Sequence, residues 1–250
     1  MDSTAAIRAT HTPDAIQARL GAGPAHSYLR DFIYGAVDGV VTTFAVASGV
    51  AGADLSSGIV IVLGAANLVG DGFSMAVSNY LGTRADRELV DRARRIEEEH
   101  IDACPDGELE EVRQIFAAKG LSGRDLEHMV SVVTADRKLW IETMVQEEYG
   151  LSVNGASPWR AAAVTLGAFV LFGALPLVSF VVEFFAPGAV GNPYAASSFV
   201  TAAAFFLVGA FKGRFVARNW YRSGTETLVV GSVAAALAYL VGVMLRGVVS

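Results

Sequence analysis

GIVIVLGAANLVGDGFSMAVSNYLGTRADRELVDRARRIEEEHI, residues 58–101, carries the change of solvent on which the reading of this chain turns. Gly58 to Leu81 is apolar for the length that a hydrocarbon core of about 30 Å asks of a helix rising 1.5 Å per residue. From Arg84 the run becomes charged, and no proline intervenes before Pro105. One helix that crosses a membrane and continues straight out of it to about Ile101 accounts for both halves.

Four further runs have the length of a span: Phe32 to Val50, Ala161 to Val182, Tyr194 to Phe211 and Thr227 to Leu245. The last three hold no charged residue, whereas Phe32 to Val50 contains Asp38 and Gly58 to Leu81, the second span in chain order, contains Asp71. The expected fold is therefore an all-α integral membrane protein with five transmembrane helices and a cytoplasmic helical domain inserted between helices 2 and 3. Its parts are an amino-terminal segment over 1–30, spans one and two over 31–83, an acidic insert over 84–158, and spans three to five over 159–250.

Composition supports this class, since 53% hydrophobic residues, 26 glycines and a positive mean hydropathy exclude an ordinary soluble domain. Seventeen of the 25 acidic residues lie between Asp86 and Glu148, so the formal charge of −6 belongs largely to the insert. That sign repels nucleic acid and attracts cations. A single cysteine, Cys104, excludes an intramolecular disulfide and suits a reducing cytoplasm. Lys and Arg occur before span one, between spans two and three, and at Lys212, Arg214, Arg218 and Arg222 between spans four and five. By the positive-inside rule the amino terminus and insert are cytoplasmic and the carboxyl terminus lies outside, with Arg246 alone on the wrong side.

Within the insert, Pro105 ends the long helix, Asp106 to Lys119 forms a second helix stopping at Gly120, and Ser122 to Tyr149 supplies one long or two shorter helices. Gly155, Ser157 and Pro158 form the re-entry linker. Thr12-Pro13-Asp14 opens a short capped helix ending at Gly21. The first thirty residues lack the basic start and apolar core of a cleaved signal peptide. Together with the alanine-rich, glycine-rich chain, this points to a bacterial plasma membrane rather than a vacuole.

An ionised carboxylate near a bilayer centre costs at least about 2.5 kcal/mol, so Asp38 and Asp71 are functional candidates. Counted along the helices, Asp38 lies about 9 Å deep and Met75 about 10 Å; the two side chains are within reach of meeting. Asp71 is one turn from Met75, and Asn67 and Asn79 extend that polar stripe. A carboxylate with a thioether suits a softer divalent ion than oxygen alone would. Packing is the alternative for Met75, since methionine is a common gap filler, and a buried hydrogen bond is the alternative for Asp38. Gly35 and Gly39 flank Asp38 at the spacing that lets another helix approach closely.

In the insert, Glu97, Glu98, Glu99 and His100 end the first helix, and Glu108, Glu110 and Glu111 begin the second across the Pro105 turn. Met144 and Glu148 share a face of the third. Three helices thus offer carboxylates, an imidazole and a thioether to a common centre. A solvated face or helix-dipole role is the plain alternative for any one glutamate, but solvation explains no methionine. Glu97-x-x-His100 has the spacing of a ferritin-type di-iron pair, yet no second Glu-x-x-His follows, the nearest being Asp125-x-x-His128. No nucleophile triad, phosphate loop or dinucleotide fingerprint occurs, and the chain reads as no enzyme.

The run DFIYGAVDGVVTTF, Asp31 to Phe44, resembles the first-helix motif of the vacuolar iron transporter family. Asp71-Gly72-Phe73-Ser74-Met75-Ala76 is similar to its second-helix motif, and Pro105 to Gly120 with Trp140 to Leu151 to its cytoplasmic metal-binding domain. The resemblance runs from about His26 to the end of the chain. It implies a five-span protomer in a homodimer, a path along the dimer axis, and exchange of Fe2+ for protons. It places a membrane metal site on Asp38 and Met75, and cytoplasmic ligands on Glu97, Glu108, Glu111, Met144 and Glu148. A family glutamate falls on His100, with Glu99 as a substitute, and Asn67 and Asn79 stand where acidic residues are common.

The expectation is a transporter that moves Fe2+, or Mn2+, out of the cytoplasm, with no permanently bound cofactor. Its partners are divalent ions, the lipid bilayer and a second copy of the chain. The alternative is a membrane-anchored metal buffer or sensor.

Overall fold

The computed structural model describes residues 8–21 and 27–249, all of its regular structure there being helical. The parts of the amino-terminal reading that fall on residues 1–7 and 22–26, His26 among them, lie outside the described residues. Helices are numbered α1 (Pro13–Gly21), α2 (Leu29–Gly52), α3 (Ser57–Ala103), α4 (Pro105–Ala118), α5 (Gly123–Ala135) and α6 (Arg137–Glu147). After these come α7 (Pro158–Gly173), a 3-10 turn (Leu175–Leu177), α8 (Val178–Phe185), α9 (Pro193–Phe215) and α10 (Trp220–Val249).

Among the described residues, five helical segments are long and apolar enough to cross a membrane: α2, α3, the α7–α8 pair, α9 and α10. The chain divides into two compact units, one holding 28–82 with 157–250, the other 83–156 with the amino-terminal segment. That division falls inside α3, whose 47 residues run unbroken from the apolar stretch into the charged one.

In the membrane unit α2 is central, with Ala36, Val40 and Ala47 wholly inaccessible. Two glycine pairs admit its neighbours. A Cβ on Gly39 would stand 3.0 Å from the Cα of Phe169, so α7 lies backbone to backbone against α2. At the other end, a Cβ on Gly242 of α10 would stand 2.9 Å from the carbonyl carbon of Gly49. Small residues serve here because lipid tails are as apolar as leucine, which leaves close van der Waals approach to hold helices together.

Span three, one segment in the sequence reading, is broken in the structure. Pro176 supplies no N–H and its ring cannot sit within a continuous helix, so α7 gives way to a 3-10 turn before α8 resumes. The buried Ser197 hydroxyl of α9 donates to the Pro176 carbonyl at 2.6 Å, and the Ser179 hydroxyl donates to the Pro193 carbonyl at 2.9 Å. The Pro176 carbonyl at the break is thereby satisfied inside protein, as a lipid environment requires. Arg246, the exception to the charge rule, is ion-paired with Asp54 in the turn between α2 and α3. Its charge is met locally.

In the other unit, Val90, Ala93 and Ile101 of α3 pack with Val112, Leu126, Val130, Val133, Trp140, Ile141, Met144 and Val145. The segment from Ser122 to Tyr149 resolves into two helices, because Asp136 leaves the helical conformation and its side chain caps α6, accepting from the Lys138 and Leu139 amides. Gly120, at φ +97°, closes α4, with the Leu121 amide bonded to the Phe116 carbonyl. Arg113 holds Glu110 and Glu127 together and so ties α4 to α5. A hydrogen bond from Gln114, and then Arg113, hold the Glu110 carboxyl below the ordinary glutamate range, and Arg113 does the same for Glu127.

Candidate metal centre

The end of α3, the start of α4 and the end of α6 meet around two carboxylates. Glu97 is wholly buried and Glu108 is 4% exposed. His100 stands one turn beyond Glu97, and its Nδ1 lies 3.3 Å from Glu108 Oε1 and 4.0 Å from Glu97 Oε1. One ligand atom from each of the three falls within 4.8 Å of the others. The Tyr149 hydroxyl donates to Glu97 Oε1 at 2.9 Å, which leaves Glu97 Oε2, like Glu108 Oε2, buried with no hydrogen-bond partner. Two such oxygens are costly unless a cation or proton meets them.

The electrostatics agree. Burial first, and then the charges of Glu97 and Glu111, push the Glu108 carboxyl up to about 7, with His100 acting in the opposite direction. Glu148 is raised by its own burial and by Glu97 and Glu111. Glu111 and Glu148 thus belong to the same electrostatic cluster, although both are exposed. Tyr149 is held well above the usual phenol value by burial and by its bond to Glu97.

The structure brings His100 into this centre and leaves Glu99, one position back on the helix, exposed outside the trio. Met144 is wholly inaccessible and belongs to the apolar core of the insert. Core packing is by itself a sufficient account of a methionine there. Tyr149 was missed: sequence spacing marks it only as a helix end.

In the membrane unit a ladder of hydrogen bonds sets α2 against α3. Asn67 donates to the Thr42 hydroxyl at 3.0 Å, and that hydroxyl donates to the Asp38 carbonyl at 2.9 Å. Asn79 donates to Asp31 Oδ1 at 2.9 Å and to the Thr165 hydroxyl at 2.7 Å. The helices run antiparallel, so between the Thr42–Asn67 and Asp31–Asn79 rungs Asp38 stands level with Asp71 and Gly72. Asp71 is an electrostatic neighbour of Asp38. Met75 lies a turn away, about 6 Å toward the Asn79 rung. The depth count starts span one at Phe32, whereas α2 begins at Leu29, which sets Asp38 about 4.5 Å further along its helix than that count. Asp38 and Met75 are half-buried and Asp71 is exposed. Asp31, buried and bonded to Asn79, is a second residue that sequence reading passed over; the place of Asn79 in the polar stripe was the available signal.

Five membrane-length helices around a polar ladder, and a helical insert with a compact carboxylate–imidazole cluster, define a polytopic membrane protein with polar groups gathered at two places. Residues 29–243 match the VIT family, and the chain belongs to that family. It is 32% identical to a vacuolar iron transporter of Toxoplasma gondii, over 98% of this chain and 85% of that protein. Vacuolar iron transporter 2 of rice is 34% identical over 84% of this chain and 85% of its own length. Vacuolar iron transporter 1 of Arabidopsis thaliana is 32% identical over 84% and 83%. These relatives are named for the vacuole, and the comparison lends no support to the expected bacterial plasma membrane.

Proposed function

We propose that the chain carries Fe2+ across its membrane, out of the cytoplasm and in exchange for protons. The observation that carries this reading is the pair of carboxyl groups, Asp38 half-buried and Asp71 exposed, at one level on two neighbouring membrane-spanning helices. Lipid does not tolerate such a pair, and a passing cation neutralises it. The names of the relatives supply the ion. Mn2+, which shares the preference for carboxylate ligands, is the second candidate cargo.

In this reading the insert faces the cytoplasm, which the Lys and Arg distribution supports, and captures the ion at Glu97, His100 and Glu108. Glu111 and Glu148 raise the local negative potential, and Met144 stands one turn from Glu148. The ion then passes to Asp38, with Asp71 level and Met75 a turn away, past the polar groups of Asn67 and Asn79. Protonating Asp38 from the far side weakens its hold on a cation and releases it. A homodimer joined along the membrane part of α3 would cover Asp71 together with the exposed Val69, Phe73 and Val77.

The test is Fe2+ uptake into proteoliposomes containing an internal pH dye, comparing wild type with Asp38→Asn. Metal entry with opposite proton movement, abolished in the variant, is the expected result. Metal-binding protein that passes no ion would instead leave a membrane-anchored buffer or sensor. Oxygen consumption on adding Fe2+ would reveal an oxidase.

A further inference from the structure

We infer that His100 ligates the captured ion through Nδ1 and makes the insert select an imidazole-binding divalent cation, of the Fe2+ and Co2+ kind, over Mn2+, Mg2+ and Ca2+. This deepens the proposed capture role and rests on it. Glutamates alone would accept all of these ions, because carboxylate oxygen suits hard cations best and borderline ones adequately. An imidazole nitrogen among the donors changes the order, since nitrogen ligands favour the later first-row ions.

The geometry supports a shared ion. Two ligand atoms each about 2.0–2.1 Å from one metal stand roughly 3.3 Å apart at the tetrahedral angle. His100 Nδ1 and Glu108 Oε1 are separated by 3.3 Å, so an ion can enter between them with shifts of tenths of an ångström. With its proton on Nε2 the ring offers Nδ1 as a lone-pair donor. Glu97 Oε2 and Glu108 Oε2 are buried without partners, and they are the oxygens left to complete the site. The His100 ring is itself half exposed, so it can turn onto an arriving ion without unpacking the core. Among the described residues no other group of three His, Cys, Asp or Glu ligand atoms comes this close together.

The experiment titrates the full-length protein in detergent with Co2+ and with Mn2+, by calorimetry and by paramagnetic proton NMR, for wild type, His100→Glu and His100→Gln. The span residues are unchanged in both variants, so their binding cancels in the comparison. Expected is a fall of about tenfold or more in the Co2+/Mn2+ affinity ratio in both variants. His100→Glu should keep its Mn2+ affinity, and one hyperfine-shifted imidazole N–H signal should vanish. An unchanged ratio in variants that bind both ions and keep wild-type helicity would overturn the selectivity while leaving capture intact. Failure of the wild-type protein to bind either ion would overturn the capture reading, and this inference with it.

Discussion

Glu97 and Glu108 each keep one carboxylate oxygen from both water and any donor, and the chain holds them so because burial in the α3–α4–α6 corner leaves no polar neighbour to spare. The Glu108 carboxyl, with a folded value near 7 against an ordinary 4.5, favours the metal-free fold fully below about pH 4.5. That contribution is lost as pH rises through 7, and Glu148 adds in the same sense. Metal-free protein should therefore show the insert melting at lower temperature at pH 8 than at pH 6, a difference reduced in Glu108→Gln. A metal ion takes the place of the proton, so affinity should climb over the same interval and the ion should restore the melting temperature. Calorimetric titration at both pH values checks this. Tyr149 acts on the same centre at one remove, by fixing Glu97 Oε1. Tyr149→Phe should weaken metal binding by about 10-fold, as loss of a ligand's supporting hydrogen bond does, with far-UV circular dichroism unchanged.

At the scale of the element, α2 is held by absent side chains as much as by present ones. Gly39→Leu would drive a side chain into the Phe169 backbone, and separation of α2 from α7 is the only relief. The expected loss is about 1–3 kcal/mol or more, read as a lower melting temperature of the detergent-solubilised protein. Ser197→Ala tests the break in span three differently, since it removes the hydroxyl that meets the Pro176 carbonyl. Its cost should be about 0.6–1.7 kcal/mol, the usual worth of such a bond between membrane helices. The register of α2 on α3 depends on the Asn67 and Asn79 rungs, both invisible to a count of apolar residues.

Across the whole molecule, acid is concentrated in the insert, which holds 17 of the 25 acidic residues, and the basic residue that breaks the charge rule, Arg246, is ion-paired with Asp54. Cys104 offers a direct test of orientation, because it is the single thiol and is exposed. A membrane-impermeant maleimide should leave it untouched in intact right-side-out vesicles and label it fully in inverted ones. Labelling of right-side-out vesicles would reverse the assigned direction of transport.

Hydropathy and charge run along the chain, so the number of spans, the extension of the second beyond its apolar stretch and the stop at Pro105 were all legible in the residues. The close approach at Gly35 and Gly39 was legible too, as a permission without a partner. Other features required the third dimension. That α7 is what approaches, that Asp71 stands level with Asp38, that Tyr149 reaches Glu97 from 52 residues away, and that His100 joins Glu108 while Glu99 does not, depend on where helices distant in sequence come to lie. Periodicity fixes which residues share a face of one helix. Only packing decides which face of another helix it meets, and Met144 shows the difference: its sequence position marks it as a candidate ligand, and only the fold shows that it is also fully buried in the apolar core of the insert.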